Sequence, residues 1–143
     1  DGKNWEDISA DLPRYEITRV TPSPHDKQKV FVTLTGMGSD DFRPYVFRSN
    51  DQGATWQPIS NALPLEPVHV IREDPHVEDL LYIGTMLGVY ASTDGGVQWH
   101  SLCNNLPTTF IYDLAIHPRE NELIAGTHGR SVYILDIKTL QAR

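Results

Sequence analysis

The sequence predicts an all-β fold: a β-propeller segment of about three four-stranded antiparallel blades. Three observations carry that expectation. A frame S-x-D-x-G-x-x-W occurs as Ser49, Asp51, Gly53 and Trp56, returns as Ser92, Asp94, Gly96 and Trp99, and opens the chain in shortened form at Gly2 and Trp5. The tryptophans are 51 and 43 residues apart, and eight residues beyond each stands the proline of a Leu-Pro pair, at Pro13, Pro64 and Pro107. Each copy then carries short apolar runs separated by Gly, Pro, Asn and Asp, with no sustained helical period. Self-similarity at a period in the forties, with four strands per unit, is the pattern of a propeller blade.

The elements follow in order, lettered A to D outward from the ring centre. Residues 17–22, 68–75 and 111–118 are apolar runs that close near a proline and hold strand A. Residues 30–32, 81–83 and 123–125 mark strand B, and residues 45–47, 88–90 and 131–134 mark strand C. In the second repeat the assignment is D at 56–59, A at 68–72, B at 80–84 and C at 89–92. The chain reads as one domain over 1–143, with repeats of approximately 1–50, 51–93 and 94–143. The opening residues are expected to run from a shortened turn through a strand D.

The aspartate frame has a local chemistry. Ser and Asp side chains accept hydrogen bonds from turn amides. Gly53 and Gly96 permit a positive φ. Trp56 and Trp99 then fold back into the blade, and if buried their replacement by Ala costs about 3–5 kcal/mol. Each turn offers one carboxylate, whereas a calcium site draws on several oxygen ligands, so no metal is expected. Cys103 stands alone, and the six histidines show neither i,i+4 nor alternate-residue pairing, so neither a disulfide nor a zinc site is expected. No cofactor motif is present: there is no phosphate-binding glycine loop and no Gly-x-Ser-x-Gly elbow.

Charge and hydropathy narrow the partners. The net charge is −7, from 12 basic and 19 acidic residues, which disfavours nucleic acid. No run approaches the ~18 apolar residues of a membrane span. No secretory signal is visible, but the chain opens at Asp1, not Met, which leaves open a leader removed or cut off.

The S-x-D-x-G-x-x-W frame resembles the Asp-box, or bacterial neuraminidase repeat. That repeat occurs in sialidases, xyloglucanase-type glycoside hydrolases, sortilin-type receptor domains and photosystem assembly factors. Residues 125–136, with Thr127, His128, Gly129 and Arg130, are similar to the closing blade of large secreted bacterial proteins of the sortilin-like or glycosyl-hydrolase-like repeat type. The resemblance covers nearly the whole chain. It implies a secreted or periplasmic module with a structural or ligand-binding role, the ligand being a glycan or peptide. Its enzyme alternative is part of a secreted glycoside hydrolase whose catalytic residues lie mostly outside this chain. The box is a scaffold turn shared by enzymes and non-enzymes, so the resemblance speaks to fold more than to activity.

Natural propellers close with about 4–8 blades. Three blades therefore call for the remaining blades of a parent chain, of which this would be the carboxy-terminal part, or for a second copy that makes a ring of six.

Strands alternate in direction, so the A–B and C–D links lie on one face and the B–C and D–A links on the other. Asp51 and Asp94 sit in C–D links and are poor catalytic candidates. The first B–C segment, residues 35–44, accounts for the eight extra residues of the first repeat and reads as an expanded loop. Its Asp40, Asp41, Phe42 and Arg43 suit a sugar or peptide. His128 and Arg130, near the last B–C turn, suit an anionic ligand or a neighbouring blade. Glycoside hydrolysis needs two carboxyls about 5–9.5 Å apart, and adjacent Asp40 and Asp41 rarely face each other so. Glu66 or Asp113 would have to supply a partner, and the catalytic residues stay unassigned. A sialidase-like grip would need three arginines and a tyrosine. Arg19, Arg72 and Arg130, with Tyr112, fall at different repeat offsets and read as surface or blade-contact residues.

Overall fold

The computed structural model describes residues 2–142. The first sheet holds β1 (Glu16–Pro22), β2 (Val30–Gly36), β3 (Asp41–Ser49) and β4 (Gln57–Pro58), in that order. The second holds β5 (Val68–Glu73), β6 (Leu81–Thr85), β7 (Val89–Ser92) and β8 (His100–Ser101). The third has three strands, β9 (Ile111–His117), β10 (Glu122–Thr127) and β11 (Val132–Asp136), and a one-turn helix α1 (Lys138–Gln141) follows it. All pairings are antiparallel between sequential neighbours. The first strands β1, β5 and β9 adjoin one another, which makes them the inner strands of three successive blades.

Side chains alternate across a strand, and the middle blade has a neighbouring blade on each face. Phe31, Val46 and Ile59 of the first blade pack against Ile71, Leu81 and Ile83 of the second. Val70, Tyr82 and Val89 turn the other way, onto Ile111, Leu114 and Leu123 of the third. The middle blade is covered on both faces, so every position of β6 is buried. That is why Leu81–Thr85 reads as a continuous run and not as an alternation. Polar ties cross the same seams: Thr21 Oγ1 donates to the Ile71 carbonyl at 2.9 Å, and Arg72 Nε to the Leu114 carbonyl at 2.8 Å.

The two full aspartate turns are alike in detail. Ser49 Oγ donates to Asp51 Oδ1 at 2.7 Å and accepts from the Gly53 amide at 2.7 Å, while Asp51 also accepts from the Thr55 amide and hydroxyl. Ser92 Oγ donates to Asp94 Oδ1 at 2.7 Å, accepts the Gly96 amide at 2.8 Å, and Asp94 takes the Gln98 amide at 2.9 Å. Hydrogen bonds from Thr55 hold the Asp51 carboxyl below its ordinary pKa, and the Gln98 amide does the same for Asp94. Gly96 adopts φ +95°, and a Cβ there would sit 2.8 Å from Ile59 Cβ, so it answers both a backbone and a space requirement.

The tryptophans differ from expectation. Trp56 and Trp99 are only partly buried. Each indole reaches back to the preceding repeat, Trp56 Nε1 donating to the Ile8 carbonyl at 2.8 Å and Trp99 Nε1 to the Ile59 carbonyl at 2.9 Å. The outermost strands β4 and β8 are two residues long, so little lies outside the indoles to cover them. Trp99→Ala is accordingly expected to cost about 2 kcal/mol, below the range for a fully buried aromatic. Urea unfolding checks this, and a loss above about 3 kcal/mol would return Trp99 to the core.

Two further expectations change. Residues 2–15 form no strand, and Trp5 is fully exposed at 103%: no strand C stands beside it among the described residues. The third blade keeps to strands A, B and C, the set its apolar runs mark: among the described residues it has no aspartate turn and no fourth strand, and after β11 the chain turns in at Ile137, which is 0% exposed. The segment 35–44 is not an expanded loop. β2 runs to Gly36, a 3₁₀ turn spans Met37–Ser39, and β3 resumes at Asp41, so the extra residues lengthen a hairpin. Pro44 is tolerated in β3 because β4 pairs only with Phe47 and Arg48 and leaves that stretch of edge free.

Candidate inner-face binding site

The inner strands share one irregularity. The β1–β2 register skips Thr18, the β5–β6 register skips His69, and the β9–β10 register skips Tyr112. Each of these is the extra residue of a β-bulge, at the same place in its blade. A bulge bends its strand and re-aims a side chain, and bulges concentrate beside functional sites. Here they bring three blades' residues to one end of the inner strands.

The side chains gathered there are aromatic and imidazole rings. His69 lies 4.8 Å from Tyr112 and 5.2 Å from Phe110, centroid to centroid. His128, from the turn after β10, lies 6.0 Å from Tyr112 and 6.4 Å from Phe110. Its amide donates to the Phe110 carbonyl at 3.0 Å, which ties the last B–C turn to the D–A link. Beside these rings is a cavity of about 240 Å³ bounded by Glu16, Thr18, Met37, Gly38, His69 and Phe110, among others. The first blade's hairpin turn thus forms one wall and the third blade's approach to β9 another.

Burial and the nearby Arg19 guanidinium hold the His69 imidazole below its ordinary pKa, while Glu16 and Asp113 pull more weakly the other way. His69 is therefore neutral at pH 7. Because its folded pKa is lowered, any stability it contributes is complete above about pH 6.5 and falls as pH drops. An NMR titration is expected to give His69 a midpoint below 6.5; a midpoint above it would mean that the ring is solvated or paired with Asp113.

The charged residues next to the rings are tied to each other. Asp113 Oδ1 meets Arg72 Nη2 at 3.0 Å and Arg19 Nη1 at 3.4 Å, and Arg19 Nη2 also reaches the Tyr112 carbonyl. Arg19 and Arg72 thus link blades through Asp113, as the sequence suggests for them. Glu66 is likewise engaged, accepting from Thr85 Oγ1 and Tyr90 Oη.

The residues singled out in the sequence fall into separate places. Asp41 is used by its own hairpin: Oδ1 accepts from the Arg43 amide and Nε, and Oδ2 from Arg43 Nη2, Tyr15 Oη and Tyr45 Oη. The Arg43 guanidinium and the Tyr45 hydroxyl hold its carboxyl far below the usual carboxylate range. A carboxyl so fixed in its ionised form has no proton to give at neutral pH. Asp40 takes the left-handed conformation at φ 56° that closes the turn. Phe42 and Arg43 stay exposed, on the hairpin. His128 joins the ring cluster, and Arg130 is exposed beside it, its amide donating to Thr127 Oγ1. His69, Phe110 and Tyr112 were not singled out as a group. Their one sequence signal is that Thr18, His69 and Tyr112 share a position in the repeat frame.

Among the described residues no group of three or more His, Cys, Asp or Glu is placed to hold a metal ion. No helix there is long and apolar enough to cross a membrane.

No protein-family model matches the sequence, and no curated protein sequence matches it. Solved structures do match. A GH74 xyloglucanase from Xanthomonas campestris superposes with TM-score 0.66 at 13% identity, covering 85% of this chain and 21% of that one. A GH74 enzyme from Niastella koreensis gives 0.69 at 16%, covering 84% and 21%. The YCF48 protein from Cyanidioschyzon merolae gives 0.61 at 18%, covering 87% and 35%. At such identities the likeness is one of fold. The chain is a β-propeller segment. It spans only about a fifth of the length of the two GH74 chains and a third of the YCF48 chain.

Proposed function

We propose that this chain is an Asp-box module from a larger secreted propeller protein, and that its inner face binds an extended glycan. The observation that carries the reading is the set of aligned bulges, which present His69 and Tyr112 side by side with Phe110 and His128 around them. Ring faces of this kind offer apolar area to a sugar's C–H surface, and the imidazole of His69 and the Tyr112 hydroxyl offer hydrogen bonds to its hydroxyls. Phe42 and Arg43 lie on the hairpin of the first blade and would extend the surface, not form its centre.

A second reading is favoured by the GH74 likeness: the module lends part of a cleft to a glycoside hydrolase, with the acid and base on blades outside this chain. Asp41, Glu66 and Asp113 are committed to structural bonds, which agrees with chemistry located elsewhere. A peptide ligand is the remaining option, since one matched structure is YCF48 bound to D1 peptide.

Affinity electrophoresis through gels containing xyloglucan, mixed-linkage glucan or no polysaccharide tests the proposal. Retardation in a glucan gel is expected, with Tyr112→Ala reducing the affinity about tenfold, since one aromatic platform is worth roughly 1–1.5 kcal/mol. Phe42→Ala should change it by less than threefold. Unretarded migration in every gel, or loss in Phe42→Ala with Tyr112→Ala unaffected, would remove the inner face as the binding site.

A further inference from the structure

The cavity beside the ring cluster holds one charge and, among the described residues, no counter-charge. Its walls come from the first two blades and the link into the third. Met37 and Gly38 in the turn after β2, Val68 at the start of β5, and Phe110 before β9 help enclose about 240 Å³. Thr18 and Thr35 also border it, but their hydroxyls are engaged. Thr18 Oγ1 meets Thr33 Oγ1 at 2.7 Å, and Thr35 Oγ1 accepts the Met37 amide at 3.3 Å. Glu16 is the one charged residue of the lining, since the His69 imidazole is neutral at pH 7. It is exposed at the cavity rim, opposite Thr35 in the β1–β2 register. Among the described residues no ion pair occupies its carboxylate.

We propose that this cavity receives a protonated amine carried by the glycan, so that the inner face prefers chains containing an unacetylated amino sugar to neutral chains. The inference rests on the ring surface binding a glycan, and it adds the class of sugar. His69 and Phe110 belong both to the ring surface and to the cavity wall. The occupant is therefore a substituent of the same ligand, not a separate small molecule.

Two forces select an ammonium group. It pairs with the Glu16 carboxylate, and it is drawn to the negative face of the Phe110 ring. A carboxylated sugar would be repelled by Glu16, and a plain hydroxyl would leave its charge unanswered. The neutral His69 ring does not compete as a counter-ion. Arg19 and Arg72 do not oppose the cation as bare charges, because both face Asp113, at 3.4 and 3.0 Å. The chain's net charge of −7 also favours the approach of a cationic ligand.

Titrations at pH 7 with three β-1,4-linked tetrasaccharides, built of glucosamine, N-acetylglucosamine or glucose, test the preference, with circular dichroism to check folding. The glucosamine tetramer is expected to bind about five- to tenfold more tightly than the glucose tetramer, the gain of one exposed ion pair and one cation–π contact. The N-acetylated tetramer, which is neutral, should not share that gain. Glu16→Gln should bring the glucosamine tetramer to within about twofold of the glucose tetramer and leave the latter's affinity unchanged. Gly38→Leu should also remove the preference, because a side chain at Gly38 meets nothing within 4 Å and enters the cavity. Glu120→Gln, an exposed site in the turn after β9 with the same change in net charge, should leave the preference intact. Equal affinities for the glucosamine and glucose tetramers would overturn the proposal. So would a preference that survives Glu16→Gln or is lost in Glu120→Gln. Failure of the ring surface reads differently: glucosamine binding that depends on Glu16 but is untouched by Tyr112→Ala would keep the cavity and remove the rings.

Discussion

Lys29→Met is expected to lower the unfolding free energy by about 3–5 kcal/mol, the cost of leaving a buried charge without its partner. Lys29 lies at the seam between the first two blades and is 5% exposed. Its ammonium meets Glu73 at 3.0 Å and Glu78 and Asp79 at 3.1 Å. The Glu73 side chain is fully buried, with Oε1 also accepting the Asp79 amide and Oε2 without any partner. Removing the ammonium therefore strands a carboxylate inside the seam. Glu73→Gln added to Lys29→Met should recover a large part of the loss, because the orphaned charge is gone. Burial alone would lower the Lys29 pKa, but Glu73, Asp79 and Glu78 outweigh it, and the net shift is upward from 10.5. A raised pKa means that the pair's contribution is complete below pH 10.5 and fades as pH rises through the folded value. Urea midpoints at pH 7 and above pH 11 check both statements. A Lys29→Met loss under about 1 kcal/mol at pH 7 would mean that water already solvates Glu73.

Ile137→Ala is expected to cost about 2–5 kcal/mol, as buried large-to-small substitutions do. The first two blades end β3 and β7 in an aspartate turn; the third ends β11 by driving Ile137 into the core it shares with the second blade. The Ile137 amide donates to the Asn121 carbonyl at 3.0 Å, as Gln52 does to Gln28 and Gly95 to Asp79 in the other blades. The backbone tie is thus kept while an apolar plug replaces the acidic turn. α1 then returns Gln141 to the buried Asp74, whose Oδ2 accepts from Gln141 Nε2 at 2.7 Å and from Tyr82 Oη at 3.2 Å. Ile137→Val should cost only about 0.5–1.5 kcal/mol. Hydrogen exchange should show the Ala variant losing protection first along β11. Equal stability of Ala and wild type would make residues 137–142 a dispensable tail.

The blades were legible because their signals are periodic. Strands β5 to β7 begin and end within a residue of the apolar runs at 68–72, 80–84 and 89–92, and the aspartate turns sit where Asp51 and Asp94 put them. Features that depend on one blade's neighbours were not legible. Burial of Trp56 and Trp99 depends on what lies outside two-residue strands, and nothing does. The hairpin at 35–44 looked like a loop because Gly36, Gly38 and Pro44 interrupt it; only the absent outer strand lets Pro44 stay in β3. The ring cluster was the largest omission. A bulge is a one-residue offset between two strands, and no single residue type announces it. Lining up Thr18, His69 and Tyr112 in the repeat frame would have shown the shared position, though not that all three are bulged.

The central claim is that the inner face at these bulges is a glycan-binding surface. Aromatic ¹H–¹³C NMR spectra of the chain, recorded while a xyloglucan oligosaccharide is added at pH 7.5, test it most directly. Saturable shifts at His69, Phe110, Tyr112 and His128, with Phe42 and the three tryptophans unmoved, are the predicted result. Spectra unchanged at these four rings, or shifts confined to Phe42 and Trp5, would contradict it.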